Sequence, residues 1–300
     1  MRDTSLAETV TRWYDANARD LPWRGPGGSA WGVLVSEVML QQTPVARVEP
    51  AWRNWLRRWP TAAALAAVSP AEAIRAWGRL GYPRRALRLH ACATAIVERH
   101  DGEVPARLDD LLALPGVGVY TARAVAAFAF RQRHPVVDTN VRRVVARVVG
   151  GVADGGPSTT HSDLAAVEVL LPDEPAAAAR ASVAFMELGA VVCTARAPRC
   201  ATCPLWTACA WRRAGSPASA GPSRRIQRYA GTDRQVRGLL LAVLREATGP
   251  VPREELDVVW ADAAQRTRAL AGLVEDGLVW EVAQEYRLPD GHRPDSTKYP

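Results

Sequence analysis

The chain has 300 residues, 48% of them apolar, enough to bury one good core and two or three smaller ones. No apolar run approaches the roughly 20 residues of a membrane span, and Met1 to Glu8 carries no apolar targeting core, which predicts a soluble cytoplasmic protein. The 38 Lys and Arg against 31 Asp and Glu leave a net charge of +7, which fits a polyanionic partner or a merely solvated basic surface, so motifs must decide between them.

Every basic residue is Arg except Lys298. The coding bias of a GC-rich genome accounts for most of that, yet it leaves an amine nucleophile nearly unavailable.

Taken in order, Leu6, Val10, Trp13 and Tyr14 repeat at the spacing of one helical face, and Leu21-Pro22-Trp23-Arg24 breaks the pattern. The periodicity predicts further helices over 31–42, 44–59, 70–77, 84–98, 108–114, 120–130 and 140–149. In the first of these, Trp31, Leu34, Val35, Val38 and Met39 form an apolar face, with Glu37 and Gln41 on another. Partial burial of Glu37 would raise its pKa and keep it protonated near neutrality, as a general acid requires. The plainer alternative is a solvent-facing glutamate on an amphipathic helix.

Leu114-Pro115-Gly116-Val117-Gly118-Val119-Tyr120 sits between two helical patterns. Gly116 and Gly118 let the backbone turn sharply and leave free N–H groups at the start of the next helix, a phosphate site that needs no base readout. An ordinary helix–helix connection would look much the same. Beyond the following helix, Asp138 in Val136-Val137-Asp138-Thr139-Asn140-Val141 stands where an N-cap would stand. Capping would hold its carboxylate ionised.

Cys193-x6-Cys200-x2-Cys203-x5-Cys209 gathers four of the five cysteines, and such clustering in a cytosolic chain favours metal over disulfides. Zinc is the rival to iron–sulfur, although zinc loops more often pair two Cys-x2-Cys knuckles. Cys92 reads as a core thiol. Residues 214–232, rich in Arg, Ala, Gly, Ser and Pro, form a basic linker. Helical patterns over 235–247, 252–258 and 262–275, then an alternating stretch over 278–288, predict a small winged-helix-like module at 233–300.

The hairpin, its helix and Val-Asp-Thr-Asn-Val together resemble the helix-hairpin-helix DNA glycosylase superfamily. Ser36-Glu37-Val38-Met39-Leu40-Gln41-Gln42-Thr43, preceded by Leu21-Pro22-Trp23-Arg24, is similar to the signature of MutY-type adenine glycosylases. That resemblance implies an all-α helix-hairpin-helix glycosylase fold, with a six-helix barrel over 22–135 and a cluster lobe made of 1–21 and 136–213. The active-site cleft would lie between the two. It implies a [4Fe-4S] cluster on Cys193, Cys200, Cys203 and Cys209, and double-stranded DNA containing mispaired adenine as partner.

By the same resemblance Glu37 protonates the adenine and Asp138, with Asn140 beside it, stabilises the oxocarbenium-like sugar. Tyr120 joins this catalytic set at the position where the endonuclease III type has its lyase lysine. Gln42 and Tyr82 would enter the duplex, and Leu40 would touch DNA. Leu21, Trp23, Arg24 and Glu187 would line the adenine pocket, with Thr43 and Leu80 on the opposing-base side; for the leucines and Trp23, core packing is an equal alternative. The resemblance covers roughly residues 4–213, because 233–300 is too short and too helical for the β-rich C-terminal domain of longer family members.

Overall fold

The computed structural model describes residues 5–25, 28–156, 158–219 and 229–291. Part of the predicted linker, 220–228, and Lys298 lie outside them. The chain divides into two compact units, one of Met1–Glu37, Pro105–Ala113 and Val117–Ser223, the other of Val38–Val104, Leu114–Gly116 and Arg224–Pro300. The expected cluster lobe falls whole within the first and the C-terminal module whole within the second, while residues 22–135 are shared between them. No helix of the described residues is long and apolar enough to cross a membrane.

In the first unit α1 (Ser5–Asn17) precedes the start of α2 (Ala30–Leu40). The second unit takes up the end of α2, then α3 (Val45–Arg58), α4 (Ala62–Ala66), α5 (Pro70–Trp77) and α6 (Arg84–Arg99). The first resumes with α7 (Leu108–Leu112), α8 (Val119–Phe130), α9 (Thr139–Val148), α10 (His161–Leu170), α11 (Pro175–Val191) and the short α12 (Ala210–Arg213).

Helix α11 organises the first unit and packs on α1, α8 and α9. Pro175 opens it, and the Glu174 side chain caps it by accepting the N–H groups of Ala176 and Ala177. Ala178, Ala181 and Ala184 are small enough to bring neighbouring helices close, and Phe185 and Leu188 fill the core with Val10, Val141 and Val144. Helical periodicity does not reveal α11. It is apolar nearly all round, with Arg180 and Glu187 its only charged residues, so it lacks the polar face that makes a 3.6-residue period visible.

In the second unit α6 packs on α4 and α5. Trp55 stands edge-on to Trp59 and Trp77, with ring centroids 4.7 and 5.7 Å away. The C-terminal part runs α13 (Asp233–Glu246), β1 (Val251–Pro252), α14 (Arg253–Asp257), α15 (Ala263–Glu275), β2 (Trp280–Val282) and β3 (Glu285–Arg287). Both other strands pair antiparallel with the central β3, Val251 and Glu281 each opposite Tyr286. This part therefore consists of three helices and one three-stranded antiparallel sheet. Pro252, expected to open the helix, instead extends with Val251 as a strand, because both pair with β3. The module is tied to α5: Arg245 donates to the Ile74 carbonyl (3.0 Å), and the Ala71 N–H donates to the Pro289 carbonyl (2.7 Å).

Candidate active site

Helix α2 has no solvent face over Trp31 to Met39, all of which are buried. Glu37 is therefore only 6% exposed, more deeply enclosed than a two-faced helix would leave it. Burial lifts its pKa from the ordinary 4.5 to about 7, opposed by a hydrogen bond donated by the Tyr120 hydroxyl and reinforced by the nearby charge of Asp138. Tyr120, at the start of α8, is itself pushed well above its ordinary range by the same burial and the same two carboxylates.

Asp138 is the N-cap of α9. Its Oδ1 accepts the N–H groups of Asn140 (2.8 Å) and Val141 (2.7 Å), and its Oδ2 accepts Asn140 Nδ2 (2.7 Å). These bonds favour the anion, but desolvation outweighs them and the net shift is upward. The cap therefore acts in the direction the sequence implies, while the enclosure around it acts against the charge. Glu37, Tyr120, Asp138 and Asn140 belong to one unit, so the two carboxylates are not divided between the units.

Asn140 continues the network. Its Oδ1 accepts Arg143 Nη2 (2.8 Å), which also reaches the Gly189 carbonyl (2.7 Å), while Arg143 Nε donates to the Cys193 carbonyl (2.7 Å). Helix α9 can approach α11 this closely only because residue 189 has no side chain: a Cβ there would lie 2.7 Å from both Asn140 Cβ and the Asn140 carbonyl oxygen. Gly189→Ala is expected to displace the α9 N-terminus and Asp138 with it, lowering stability by about 1–3 kcal/mol and slowing turnover. Thermal melting and single-turnover rates on the same preparation check this.

Glu187, wholly buried on α11, forms a bidentate pair with Arg19 (2.6 and 2.8 Å) and accepts Arg24 Nη1 (2.8 Å). The two guanidiniums hold its pKa down at about 2. Its charge orients Arg24, whose own positive charge favours the Glu37 anion and so works against the upward shift there. Leu21 and Trp23, either side of Pro22, are buried in the same unit. Arg19 carries no motif in the sequence, and only its partner 168 residues away gives it a role.

In the hairpin Gly116 has φ +77°, and a Cβ there would fall 2.8 Å from Arg88 Cβ. Gly118 is the N-cap of α8, and no side chain caps that helix end. The second unit carries the predicted wedge. Gln42 and Tyr82 are exposed and both have left-handed backbones, φ +57° and +47°. For residues other than glycine this costs about 1–3 kcal/mol each and concentrates at functional loops. Thr43 and Leu80 are buried beside them in the chain, and Leu40 is half-buried at the end of α2.

Cys193, Cys200, Cys203 and Cys209 are all free thiols and line one recess with Leu188, Val192 and Trp206. Arg147, 4% exposed on α9, donates Nη1 to Cys193 Sγ (3.3 Å) and to the Thr194 carbonyl (2.8 Å). A guanidinium aimed at sulfur suits a thiolate. The four thiols thus share one recess with a charged donor behind Cys193, a donor set whose chemistry suits thiolate ligation. Cys92 is a buried core thiol, pushed up to about 12 by desolvation.

Residues 35–167 match the HhH-GPD superfamily of base excision DNA repair proteins. The fold is similar to that of a thermostable thymine-DNA glycosylase (TM-score 0.64, 24% identity, 70% of this chain and 96% of that one). The family match over those residues, on this fold, gives the class: a helix-hairpin-helix protein of the base excision DNA repair superfamily. An adenine DNA glycosylase of Mycolicibacterium smegmatis is 62% identical over 272 residues, 90% of this chain and 91% of its own length. The human adenine DNA glycosylase is 41% identical over 218 residues, 70% of this chain and 40% of its own. The chain belongs to the adenine DNA glycosylase family. With the mycobacterial relative the likeness spans more than the roughly 210 residues that the motifs alone marked out.

Proposed function

We propose that this chain excises adenine mispaired with 8-oxoguanine or guanine in double-stranded DNA, hydrolysing the N-glycosidic bond as the first step of base-excision repair. The observation that carries the reading is Glu37, buried and poised with a pKa of about 7 beside a second carboxylate. Protonated Glu37 gives its proton to the adenine ring, so the bond between the sugar and the base breaks with its electron pair leaving on adenine. Tyr120 fixes the Glu37 carboxyl through its hydroxyl. The capped, anionic Asp138 faces the cationic sugar that remains until water adds to its anomeric carbon, giving up a proton to the carboxylate that Glu37 has become. Leu21, Trp23, Arg24 and Glu187 form the pocket side, Gln42 and Tyr82 fill the space the base vacates, Thr43 and Leu80 lie towards the opposing base, and Leu40 touches DNA.

Gly116 and Gly118 present the hairpin's N–H groups to a phosphate. Cys193, Cys200, Cys203 and Cys209 would hold a [4Fe-4S] cluster, which supplies a rigid, thiolate-bound support for the basic segment carrying Arg196, Arg199, Arg212 and Arg213.

Single-turnover assays on duplexes with adenine opposite 8-oxoguanine, guanine or thymine test the reading. Adenine release with strand scission only after alkali is the expected result, and intact adenine in every duplex with well-folded protein would refute it. With Lys298 as the sole lysine, borohydride is expected to trap no covalent protein–DNA adduct, as read by denaturing electrophoresis.

A further inference from the structure

Arg85, near the start of α6, is 6% exposed, and its hydrogen-bond acceptors are all neutral. Nη1 donates to the carbonyls of Val38 (2.9 Å), Met39 (2.9 Å) and Gln41 (2.6 Å). Nη2 donates to Thr43 Oγ1 (2.9 Å) and the Gly81 carbonyl (3.0 Å). Its backbone N–H donates to the Tyr82 carbonyl (3.0 Å), and its guanidinium lies 5.5 Å from the Tyr82 ring and 5.1 Å from that of Trp77. A cation taken out of water without a carboxylate is an expensive way to fill a core, and Nε has no partner at all.

What the fork joins explains its retention. Gln41 and Thr43 bracket Gln42, and Gly81 precedes Tyr82. These are the two exposed residues of this unit held in left-handed backbone conformations next to the Arg85 anchors. Helix α2 also ends here, so the carbonyls of Val38 and Met39 have no acceptor role further along the helix. A planar guanidinium reaches both loops at fixed angles, which a lysine ammonium cannot do.

We propose that Arg85 is a positioning residue that locks the 41–43 and 80–82 loops into one preformed wedge, so that Gln42 and Tyr82 enter the duplex without first having to be ordered. This rests on the wedge role proposed above for those two residues. Arg85 touches neither the base nor the sugar and acts only through the loops it ties together.

The test compares wild type, Arg85→Met, Arg85→Lys, Gln42→Ala and Tyr82→Ala on two duplexes. In one, adenine faces guanine; in the other it faces a tetrahydrofuran abasic analogue, where no partner base resists extrusion. Arg85→Met is expected to slow single-turnover release from the paired duplex by about 10²-fold, the scale of a misplaced positioning group, while staying near wild type on the abasic-partner duplex. Fluorescence of 2-aminopurine at the target position should show the matching loss of extrusion. Arg85→Lys keeps the charge without the fork, and is expected to show the same selective defect at smaller size; it decides the matter if Arg85→Met does not fold. Equal loss on both duplexes, or wild-type rates on the paired one, would overturn the proposal. If Gln42→Ala and Tyr82→Ala lose nothing on the paired duplex, the wedge role itself fails; if they lose rate and the Arg85 variants do not, only the role of Arg85 fails.

Discussion

Glu37→Gln is expected to lower single-turnover adenine release by about 10²–10⁴-fold, the usual range for a general acid, with DNA binding unchanged. Glutamine keeps the size and can still accept from Tyr120, but it has no proton to give. In the wild type the active form is the protonated one. With a pKa of about 7 the rate should be flat below that pH and fall about tenfold per pH unit above it, provided release is limited by chemistry. Stability moves in the same sense. The folded pKa lies above the ordinary 4.5, so the protonated group is fully tolerated below pH 4.5, and stability is lost as pH rises through 7. The rise from 4.5 to about 7 corresponds to roughly 3 kcal/mol, so Glu37→Gln should melt higher than wild type at pH 8 and about equal to it at pH 4.5. Melting curves at both pH values and a rate profile across pH 5.5–8.5 (a span of about three units around the pKa) measure the two effects on one pair of proteins.

Asp138→Asn separates chemistry from architecture. Asparagine caps helices about as well as aspartate, so its side-chain oxygen can still take the N–H groups of Asn140 and Val141 and hold α9. What disappears is the negative charge opposite the developing sugar cation, together with the second oxygen that accepts Asn140 Nδ2. A fall of about 10²–10³-fold in release is expected, on the scale of losing one preorganised electrostatic stabiliser, with duplex affinity preserved. Asp138→Ala loses the cap as well, which adds about 1 kcal/mol of destabilisation. Release rates, fluorescence anisotropy with labelled duplex and melting of the three proteins distinguish these outcomes. Loss of DNA binding in a well-folded Asp138→Asn protein would point to a carboxylate that serves binding and not turnover.

Several features of this site were readable before any fold was known, and they share a short reach. Gly116 is required by a turn whose φ of +77° excludes most side chains, and Asp138 caps residues two and three positions ahead of it. The four cysteines announce themselves by spacing, and the lack of lysine short of position 298 bears on lyase chemistry without any structure. Helices with one polar face were visible by their period, whereas α11, apolar nearly all round, was not. What the tertiary structure alone decided is which distant groups meet: Arg19 with Glu187, Arg143 with both Gly189 and Cys193, and Arg85 with two loops nearly 40 residues apart. It also decided protonation. Glu37 sits in a helix that periodicity divides into two faces, and only the segments packed around it show that it has none in water. Steric and capping preferences act over a few bonds and so are written in residue order, but desolvation and ion pairing depend on everything that surrounds a group, and that is assembled only by folding.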